Sequence, residues 1–467
     1  MASIYIETFG CQMNEADSQH IAQRAVAAGY TIAEKPHEAS VVLLNTCTVR
    51  DNAERRAYGR MQHFKTLKRA DPGVKLVVTG CLAEQDRHRM QEVAPHVDAV
   101  FGTKELGELA EALSAWRPEF AEDQRSEERS LLLPMGGNAD CITDAFTHLR
   151  AYVTVQRGCS YYCTFCIVPH VRGRFDHRPT KEILAEVRQH IAQGAREVTL
   201  VGQTVNAYRD PATGGDFGEL LGAVAQCDGL ERLSFLTSHP KDFTQKLLTD
   251  MAGIPQLNPR LHLPVQSASN PVLRRMNRKY SIEAYLEKIG FLREQLPGWA
   301  LTTDIIVGFP GESEEDFQKT LALCATNMFT QAYMFIYSPR RGTPASQWEQ
   351  VDPSQASQRL RSLAAVQNRS CRAFHERKVG SVVRALVQGP SRKDPAKLAA
   401  KTVDNVTVIA PLPFTLDAAA FAAAPWIDVR VQAGYTWGVT GTMLSRSHAY
   451  THRGTSVPPP TLDLITL

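Results

Sequence analysis

Three bodies in series, two α/β and one β, are the fold that this 467-residue sequence predicts: an open parallel sheet, a partial barrel of six strand-helix units, and a small antiparallel β-barrel. Three observations carry that reading. Short β-rich runs alternate with helix-period segments as far as about residue 375, as parallel strands joined by crossover helices do. The charged run EFAEDQRSEERS, Glu119 to Ser130, has no apolar period and divides that region in two. From Gly380 the helical period stops and β-rich runs follow one another. At about 150 residues per domain the length suits three bodies. The boundaries are placed at 1–118, a linker 119–144, 145–375, 376–446 and a tail 447–467.

Composition excludes several classes. A chain that is 43% hydrophobic and 22% charged can fill more than one core. Its formal charge of +3, from 52 basic against 49 acidic side chains, excludes a polycation, so any nucleic-acid surface is local. No apolar run approaches the ~18 residues of a bilayer span, and MASIYIETFGCQMNEAD lacks the basic start and apolar stretch of a signal peptide. These features predict a cytoplasmic protein with no membrane partner. Ten cysteines are too sparse for a disulfide scaffold and stay thiols in a reducing compartment unless a metal claims them.

In the first body, strands are expected at Ile4–Thr8, Val41–Leu44 and Leu76–Thr79, with helices near Asp17–Ala28, Glu54–Lys68 and after residue 81. Cys11, Cys47 and Cys81 each follow a strand within four residues, and the carboxyl ends of parallel strands open into one crevice. A lone cysteine is usually a small buried hydrophobe. Three at equivalent places point instead to a shared metal site, and Gly10 and Gly80 let the backbone turn close to a bulky ligand.

In the second body, strands are expected at Ala151–Val155, Glu197–Val201, Arg232–Leu236, Arg260–Leu263, Leu301–Val307 and Gln331–Ile336, with a helix over Thr180–Gln193. A closed eight-unit barrel would need two more units, and chemistry sits at the carboxyl ends of the strands. There, GCSYYCTFC places Cys159, Cys163 and Cys166 on one tight loop, a spacing that aims three thiolates at one iron-sulfur cube and leaves one iron open. Structural zinc is the alternative, but no fourth Cys or His completes a familiar pattern, since His170 and His177 lie in the basic loop VPHVRGRFDHR. Polar and turn residues follow the other strands: Gln203 and Asn206; Ser238 and His239; His262 and Gln266; Gly308, Phe309, Pro310, Gly311 and Glu312. They are candidates to orient a cofactor, or simply loop-building residues.

In the third body, strands are expected at Val382–Val387, Thr402–Ile409, Ile427–Val431 and Trp437–Met443, with AAAFAAA, Ala418–Ala424, as an insertion and a disordered tail after Ser445. Between Val366 and Lys401, nine basic residues face two acidic ones, Glu376 and Asp394. The nine, Arg369, Arg372, Arg377, Lys378, Arg384, Arg392, Lys393, Lys397 and Lys401, are candidates to neutralise phosphates, or a solvated helix face followed by a loop.

The motifs ETFGCQMNEADS, NTCTVRDNAERRAYGR, TGCLAEQ, QRGCSYYCTFCIVP, LVGQTVNAY, HLPVQSAS and DIIVGFPGES resemble the radical S-adenosylmethionine methylthiotransferases over about residues 1 to 446. The resemblance is to their tRNA-modifying branch; the ribosomal-protein branch usually carries Pro-Lys-Asn where this chain has Gln12-Met13-Asn14. It implies two 4Fe-4S clusters, one on Cys159, Cys163 and Cys166 and an auxiliary one on Cys11, Cys47 and Cys81. The open iron of the first would chelate S-adenosylmethionine and yield a 5′-deoxyadenosyl radical that attacks carbon 2 of a prenylated adenine, N6-dimethylallyladenosine, next to the anticodon; the second would deliver the sulfur. The implied partners are the tRNA anticodon loop, a low-potential electron donor such as flavodoxin or ferredoxin, and a sulfur donor or iron-sulfur carrier, with the enzyme a monomer. The third body resembles the TRAM domain, an RNA-binding, OB-like barrel, with Ala400 where Gly is expected in a loop before Thr402. The rival targets are threonylcarbamoyladenosine in tRNA or a ribosomal-protein aspartate. A non-catalytic iron-sulfur RNA-binding protein is the rival from another class.

Overall fold

A computed structural model of the chain describes residues 2–49, 51–117, 149–391, 393–412, 421 and 423–447. In the first body β1 (Ser3–Thr8), β2 (Thr31–Ile32), β3 (Val41–Thr46), β4 (Lys75–Gly80) and β5 (Ala99–Phe101) form a parallel sheet in the order β2-β1-β3-β4-β5. Strand side chains alternate between faces. Accordingly Ile4, Val41 and Leu43 join Ile21, Ala25, Leu109 and Leu113 on one side, while Tyr5, Val42 and Leu44 join Met61, Phe64 and Met90 on the other. Helices thus cover both faces, and the strand order reverses between β1 and β3, where such sheets open a ligand crevice. The two edge strands are only two and three residues long, too short to register as a sequence pattern. The first helix, Gln12–Ala27, begins earlier than the predicted Asp17. Its opening turn is polar in sequence, yet Met13 and Ala16 are buried against Val201 of the next body.

The second body contains β6 (Arg150–Thr154), β7 (Gln156–Arg157), β8 (Asp176–His177), β9 (Glu197–Val201), β10 (Arg232–Phe235), β11 (Arg260–His262), β12 (Ala300–Val307) and β13 (Gln331–Ile336). Parallel strands β6, β9 and β10 form one sheet and β11, β12 and β13 another. The two are joined where the Leu233 N–H donates to the Gln256 carbonyl at 2.8 Å and the Asn258 N–H donates to the Leu233 carbonyl at 2.8 Å. Six parallel strands therefore curve into an open barrel with β6 and β13 at its edges. Val153, Val198, Leu200, Leu233, Leu261, Leu301 and Ile305 pack there with Ile183, Val187, Leu221, Leu248, Ile289 and Phe317 from the covering helices. Each such apolar burial contributes about 1.5–3 kcal/mol before entropy is counted. The strands lie where the alternation placed them.

The third body differs from expectation in detail. β14 (Val382–Ser391), β15 (Asp394–Thr402), β16 (Thr407–Pro411), β17 (Trp426–Tyr435) and β18 (Gly438–Ser447) close a five-stranded barrel in the order β14-β15-β16-β18-β17. All pairs are antiparallel except β16 with β18. The predicted strand Thr402–Ile409 is broken by a turn: Asn405 has φ 63°, and the Thr402 N–H donates to the Val406 carbonyl at 3.0 Å. The Asp-Asn pair at 404–405 is the turn chemistry responsible. Ala400 lies inside β15, not in a loop; it pairs with Val387 and Val408 and is buried, where a small side chain packs. The run Glu119–Ser130, Cys141, Arg392, most of AAAFAAA and the tail beyond Ser447 lie outside the described residues. No described helix is long and apolar enough to cross a membrane.

The third body docks on the amino ends of the open barrel's strands. Leu149, just before β6, belongs to the core of the five-stranded barrel. Arg232, first residue of β10 and 1% exposed, lies 3.4 Å from Glu197 and donates to the Lys401 and Thr402 carbonyls at 3.4 and 3.1 Å. Its guanidinium stands 5.4 Å from the Trp426 ring centroid, and the Trp426 indole donates to Glu231. Removing one member of a buried ion pair strands its partner, at about 3–5 kcal/mol. Arg232→Ala is therefore expected to lower the denaturant midpoint at which the third body unfolds; a midpoint equal to the parent's would mean that apolar packing alone holds the junction.

Candidate functional site

β1, β3 and β4 are neighbours about 4.8 Å apart, and the first cysteine trio sits at their carboxyl ends. Cys11 caps the helix Gln12–Ala27, Cys47 follows β3 directly, and Cys81 opens the helix Cys81–Val93. Two glycines make this nesting feasible. A Cβ on Gly10 (φ 112°) would stand 2.4 Å from the Cys47 Cβ and 2.7 Å from its Sγ, and one on Gly80 (φ 101°) would stand 2.3 Å from the Thr46 carbonyl oxygen. The buried Asn14 amide donates to the Phe9 and Thr46 carbonyls, both at 2.8 Å, and so ties the Cys11 turn to the Cys47 turn. The Val49 N–H donates to the Cys47 sulfur at 3.4 Å. The Cys81 thiol is pushed up by burial and held back by Arg172, and Cys11 is close enough to add to the rise.

The second trio hangs on the loop between β7 and β8, whose antiparallel pairing closes the loop at its base. Gly158 (φ 71°) is packed so that a Cβ would meet the Arg174 carbonyl oxygen at 2.0 Å. The Cys159 N–H donates to the Gly173 carbonyl at 3.0 Å and the Cys166 N–H to the Cys163 carbonyl at 2.9 Å, which winds the three cysteines inward. Asn277 Nδ2 clamps the loop through the Tyr161 and Tyr162 carbonyls at 3.2 and 2.9 Å. Arg278 donates to the Cys163 sulfur at 3.4 Å, and the Thr204 hydroxyl lies 3.5 Å from the Cys159 sulfur. Burial pushes the Cys166 thiol up to about 12, with Cys163 and Cys159 adding to the rise, so the three thiols share one locality.

The loop of the second trio reaches the first: Ile167 and Val171, one and five residues past Cys166, pack on Cys81. Arg172 Nε donates to the Cys81 sulfur at 3.2 Å, and Arg172 and Arg157 grip opposite oxygens of Asp17 at 2.9 and 2.7 Å. The Thr103 hydroxyl adds a bond to the Val171 carbonyl. Among the described residues no three or more His, Cys, Asp or Glu side chains close on a single-ion site. Thiolates around a four-iron cube stand farther apart than ligands of one ion, and an all-sulfur donor set of this kind suits that cluster.

The strand-end candidates divide. Gln203 Oε1, Ser238 Oγ, His239 Nε2 and Gln266 Oε1 are buried with no hydrogen-bond partner among the described residues. Buried polar atoms are normally paired, so four orphans at successive strand ends mark where a polar ligand belongs. Burial, then Arg278 and Lys241, push the His239 imidazole down to about 2, which keeps it neutral. Its Nδ1 accepts from the Lys241 N–H at 3.1 Å, so the proton sits on the orphan Nε2, which is a donor. The remaining candidates build the loops. Asn206 clasps the His239 backbone at 2.9 and 2.8 Å, and His262 is engaged by Thr302 and Asp304 at 3.0 and 3.4 Å. The Gly308 N–H and Arg359 both engage Glu312 Oε2, at 2.7 and 2.8 Å, while Glu312 Oε1 is buried with no partner among the described residues; the Pro310 carbonyl accepts from Arg275 at 2.9 Å. Phe309 is fully buried, edge-on to Phe165 at 6.3 Å, and so backs the cysteine loop.

The basic candidates divide as well. Arg369, Arg372 and Arg377 are exposed at the end of the helix Pro353–Glu376, with Arg372 paired to Glu376 at 2.7 Å; Lys393 and Lys397 are exposed on the β14-β15 hairpin, with Lys397 paired to Asp394 at 2.9 Å. Lys378 and Arg384 are instead bound to Asp404 at 2.7 Å and Asp428 at 2.9 Å. Lys401, pulled down to about 8 by burial and then by Arg260 and Arg150, donates to the Thr407 hydroxyl at 2.8 Å. These three tie the barrel together. Arg172, Asp17, Asn14 and Arg278 escaped sequence reasoning, because each sits in a polar run that looks solvated.

Residues 3–102 match the family described as Uncharacterized protein family UPF0004, and residues 153–324 match the Radical SAM superfamily. The chain is 39% identical over 448 residues to tRNA-2-methylthio-N(6)-dimethylallyladenosine synthase of Moorella thermoacetica, covering 94% of this chain and 98% of that protein. It is 42% identical over 421 residues to the same synthase of Aromatoleum aromaticum, covering 87% and 92%. Among solved structures, the radical S-adenosylmethionine methyltransferase TsrM of Kitasatospora setae superposes with a TM-score of 0.54 at 15% identity, over 74% of this chain and 75% of that one, a likeness of fold. Sequence identity of this extent over nearly the whole chain shows that the protein belongs to the tRNA-2-methylthio-N(6)-dimethylallyladenosine synthase family, radical S-adenosylmethionine enzymes that work with 4Fe-4S clusters.

Proposed function

We propose that this chain methylthiolates carbon 2 of N6-dimethylallyladenosine next to the anticodon of tRNA, with Cys159, Cys163 and Cys166 holding the cluster that binds S-adenosylmethionine and Cys11, Cys47 and Cys81 holding the cluster from which sulfur is delivered. The packing of Ile167 and Val171, from the segment that leaves Cys166, on Cys81 is the observation that supports it. When bound, the clusters and S-adenosylmethionine supply the electron, the carbon radical and the sulfur that side chains cannot.

The protein's part is position and exclusion of water. The neutral His239 Nε2–H offers a donor, and Gln203, Ser238 and Gln266 offer further polar atoms, to a zwitterionic nucleoside lying across the strand ends. Phe309 and Phe165 keep the cysteine loop from collapsing outward. A single-stranded anticodon loop presents its adenine to such a crevice at little unstacking cost. The exposed Arg369, Arg372, Arg377, Lys393 and Lys397 suit phosphates of the adjoining stem. Because their barrel docks at the amino ends of the strands, the RNA must run along the flank of the open barrel to reach both ends. A low-potential flavodoxin or ferredoxin, a sulfur donor or iron-sulfur carrier, a cytoplasmic setting and a monomeric enzyme complete the reading.

Three outcomes test it. Cys163→Ala is expected to halve the iron content, to about one cluster per chain, and to abolish 5′-deoxyadenosine formation, whereas Cys47→Ala keeps some formation yet makes no methylthio product; nucleoside mass spectrometry decides, and product from Cys47→Ala refutes the sulfur assignment. Replacing Arg369, Lys393 and Lys397 with Ala together is expected to weaken tRNA binding and flatten the log K against log salt slope by about 2–3; an unchanged slope moves the RNA surface elsewhere. Burial raises the Cys81, Cys159 and Cys166 thiols, so at neutral pH they are protonated, and cluster assembly must release those protons. Anaerobic reconstitution of the apoprotein should therefore proceed further as pH rises between about 7 and 9; a flat profile would show that the thiols are already ionised.

A further inference from the structure

Arg172 is the last residue of the short helix Val168–Arg172, in the segment that leaves Cys166, yet its guanidinium lies against Cys81 of the first trio, within electrostatic reach of Cys11, with its side chain 4% exposed. Each nitrogen has a separate fate. Nε donates to the Cys81 sulfur at 3.2 Å, and one terminal nitrogen donates to Asn14 Oδ1 at 3.0 Å and Asp17 Oδ2 at 2.9 Å. The other terminal nitrogen is buried with no partner among the described residues. A buried charged donor left idle costs about 1–3 kcal/mol or more, so its persistence beside thiols marks a place for an electron-rich atom that the trio's occupant supplies. Arg157 shares the same carboxylate, at 2.7 Å, with no hydrogen bond to a thiol among the described residues.

We propose that Arg172 is the positioning residue of the Cys11, Cys47 and Cys81 centre: Nε fixes the Cys81 thiolate, and the idle terminal N–H groups bond to a sulfur of the occupant, either a cluster sulfide or the sulfur bound for transfer. This rests on the reading of that trio as the auxiliary cluster site. A cationic donor on cluster sulfur stabilises the reduced state and raises its potential. The residue comes from the loop that carries the other trio, so the radical-generating body itself sets the electronics of the sulfur-bearing centre.

The test is a redox titration of the reconstituted full-length protein followed by electron paramagnetic resonance, on the parent, R172Q, R172K and R157Q. R172Q is expected to move one of the two midpoint potentials to a more negative value and leave the other in place, R172K to restore part of the shift, and R157Q to move neither. Loss of that single cluster from R172Q while R157Q keeps both also supports the proposal, since of the two arginines on Asp17 it is Arg172 that donates to a thiol. Unchanged potentials in a fully loaded R172Q, or equal loss of iron from R157Q, overturn it and leave Arg172 a clasp between domains. Iron counting on C47A separates the underlying reading: if that variant keeps both clusters, the trio assignment fails, whatever Arg172 does.

Discussion

A single buried carboxylate decides how the two halves of the active crevice meet. Burial works against a charge on Asp17, but Arg172 and Arg157 from the neighbouring body hold it below the usual carboxylate range. Such a triad is poor evidence for net stability, because desolvating three charges consumes most of what their attraction returns. Its geometry is the point. Apolar packing of Met13 and Ala16 on Val201 would tolerate a small slide between the bodies, whereas two arginines on one carboxylate permit one register. That register sets Cys81 against the segment leaving Cys166.

The rest of the architecture follows from which end of each strand is used. In both α/β bodies the carboxyl ends carry the cysteines and the orphaned polar atoms, and the segment leaving Cys166 packs on Cys81. The amino ends are sealed by the five-stranded barrel through Arg232, Trp426 and Leu149. On the proposed reading, the exposed Lys393 and Lys397 of that far barrel bear the RNA, which is then long enough to reach from one end to the other.

How much of this was legible in the sequence depended on whether a signal was local. The spacing of Cys159, Cys163 and Cys166 is local, and so is the recurrence of a cysteine after each strand, so both trios were visible. The partial barrel was visible because its β-rich runs recur between helix-period segments, even where a strand is as short as Arg260–His262. The β15 strand was not, because Asp394 to Lys397 is polar and only its second half packs inward. Basic residues were the least legible: Arg384 and Lys393 look alike as letters, yet one closes a salt bridge across β14 and β17 and the other faces solvent. Asp17 and Arg172 are 155 positions apart, and no periodicity within either segment announces that they touch.

Both trios receive a buried guanidinium from outside their own turns, and the difference between the two is informative. Arg278, on the Cys163 thiol, spends its other nitrogens on the Tyr280 hydroxyl at 3.1 Å and the Pro264 carbonyl at 3.3 Å. It is a finished structural support, and the ligand-seeking atoms of that half are the neutral groups at the strand ends. Arg172 keeps a donor in reserve among thiols. On the proposed reading, the first trio's centre takes up and releases an additional sulfur, and the idle donor of Arg172 is placed to meet it. The second trio's centre binds its cofactor through an open iron, and there the neutral orphans at the strand ends, not Arg278, are the groups left to meet a ligand.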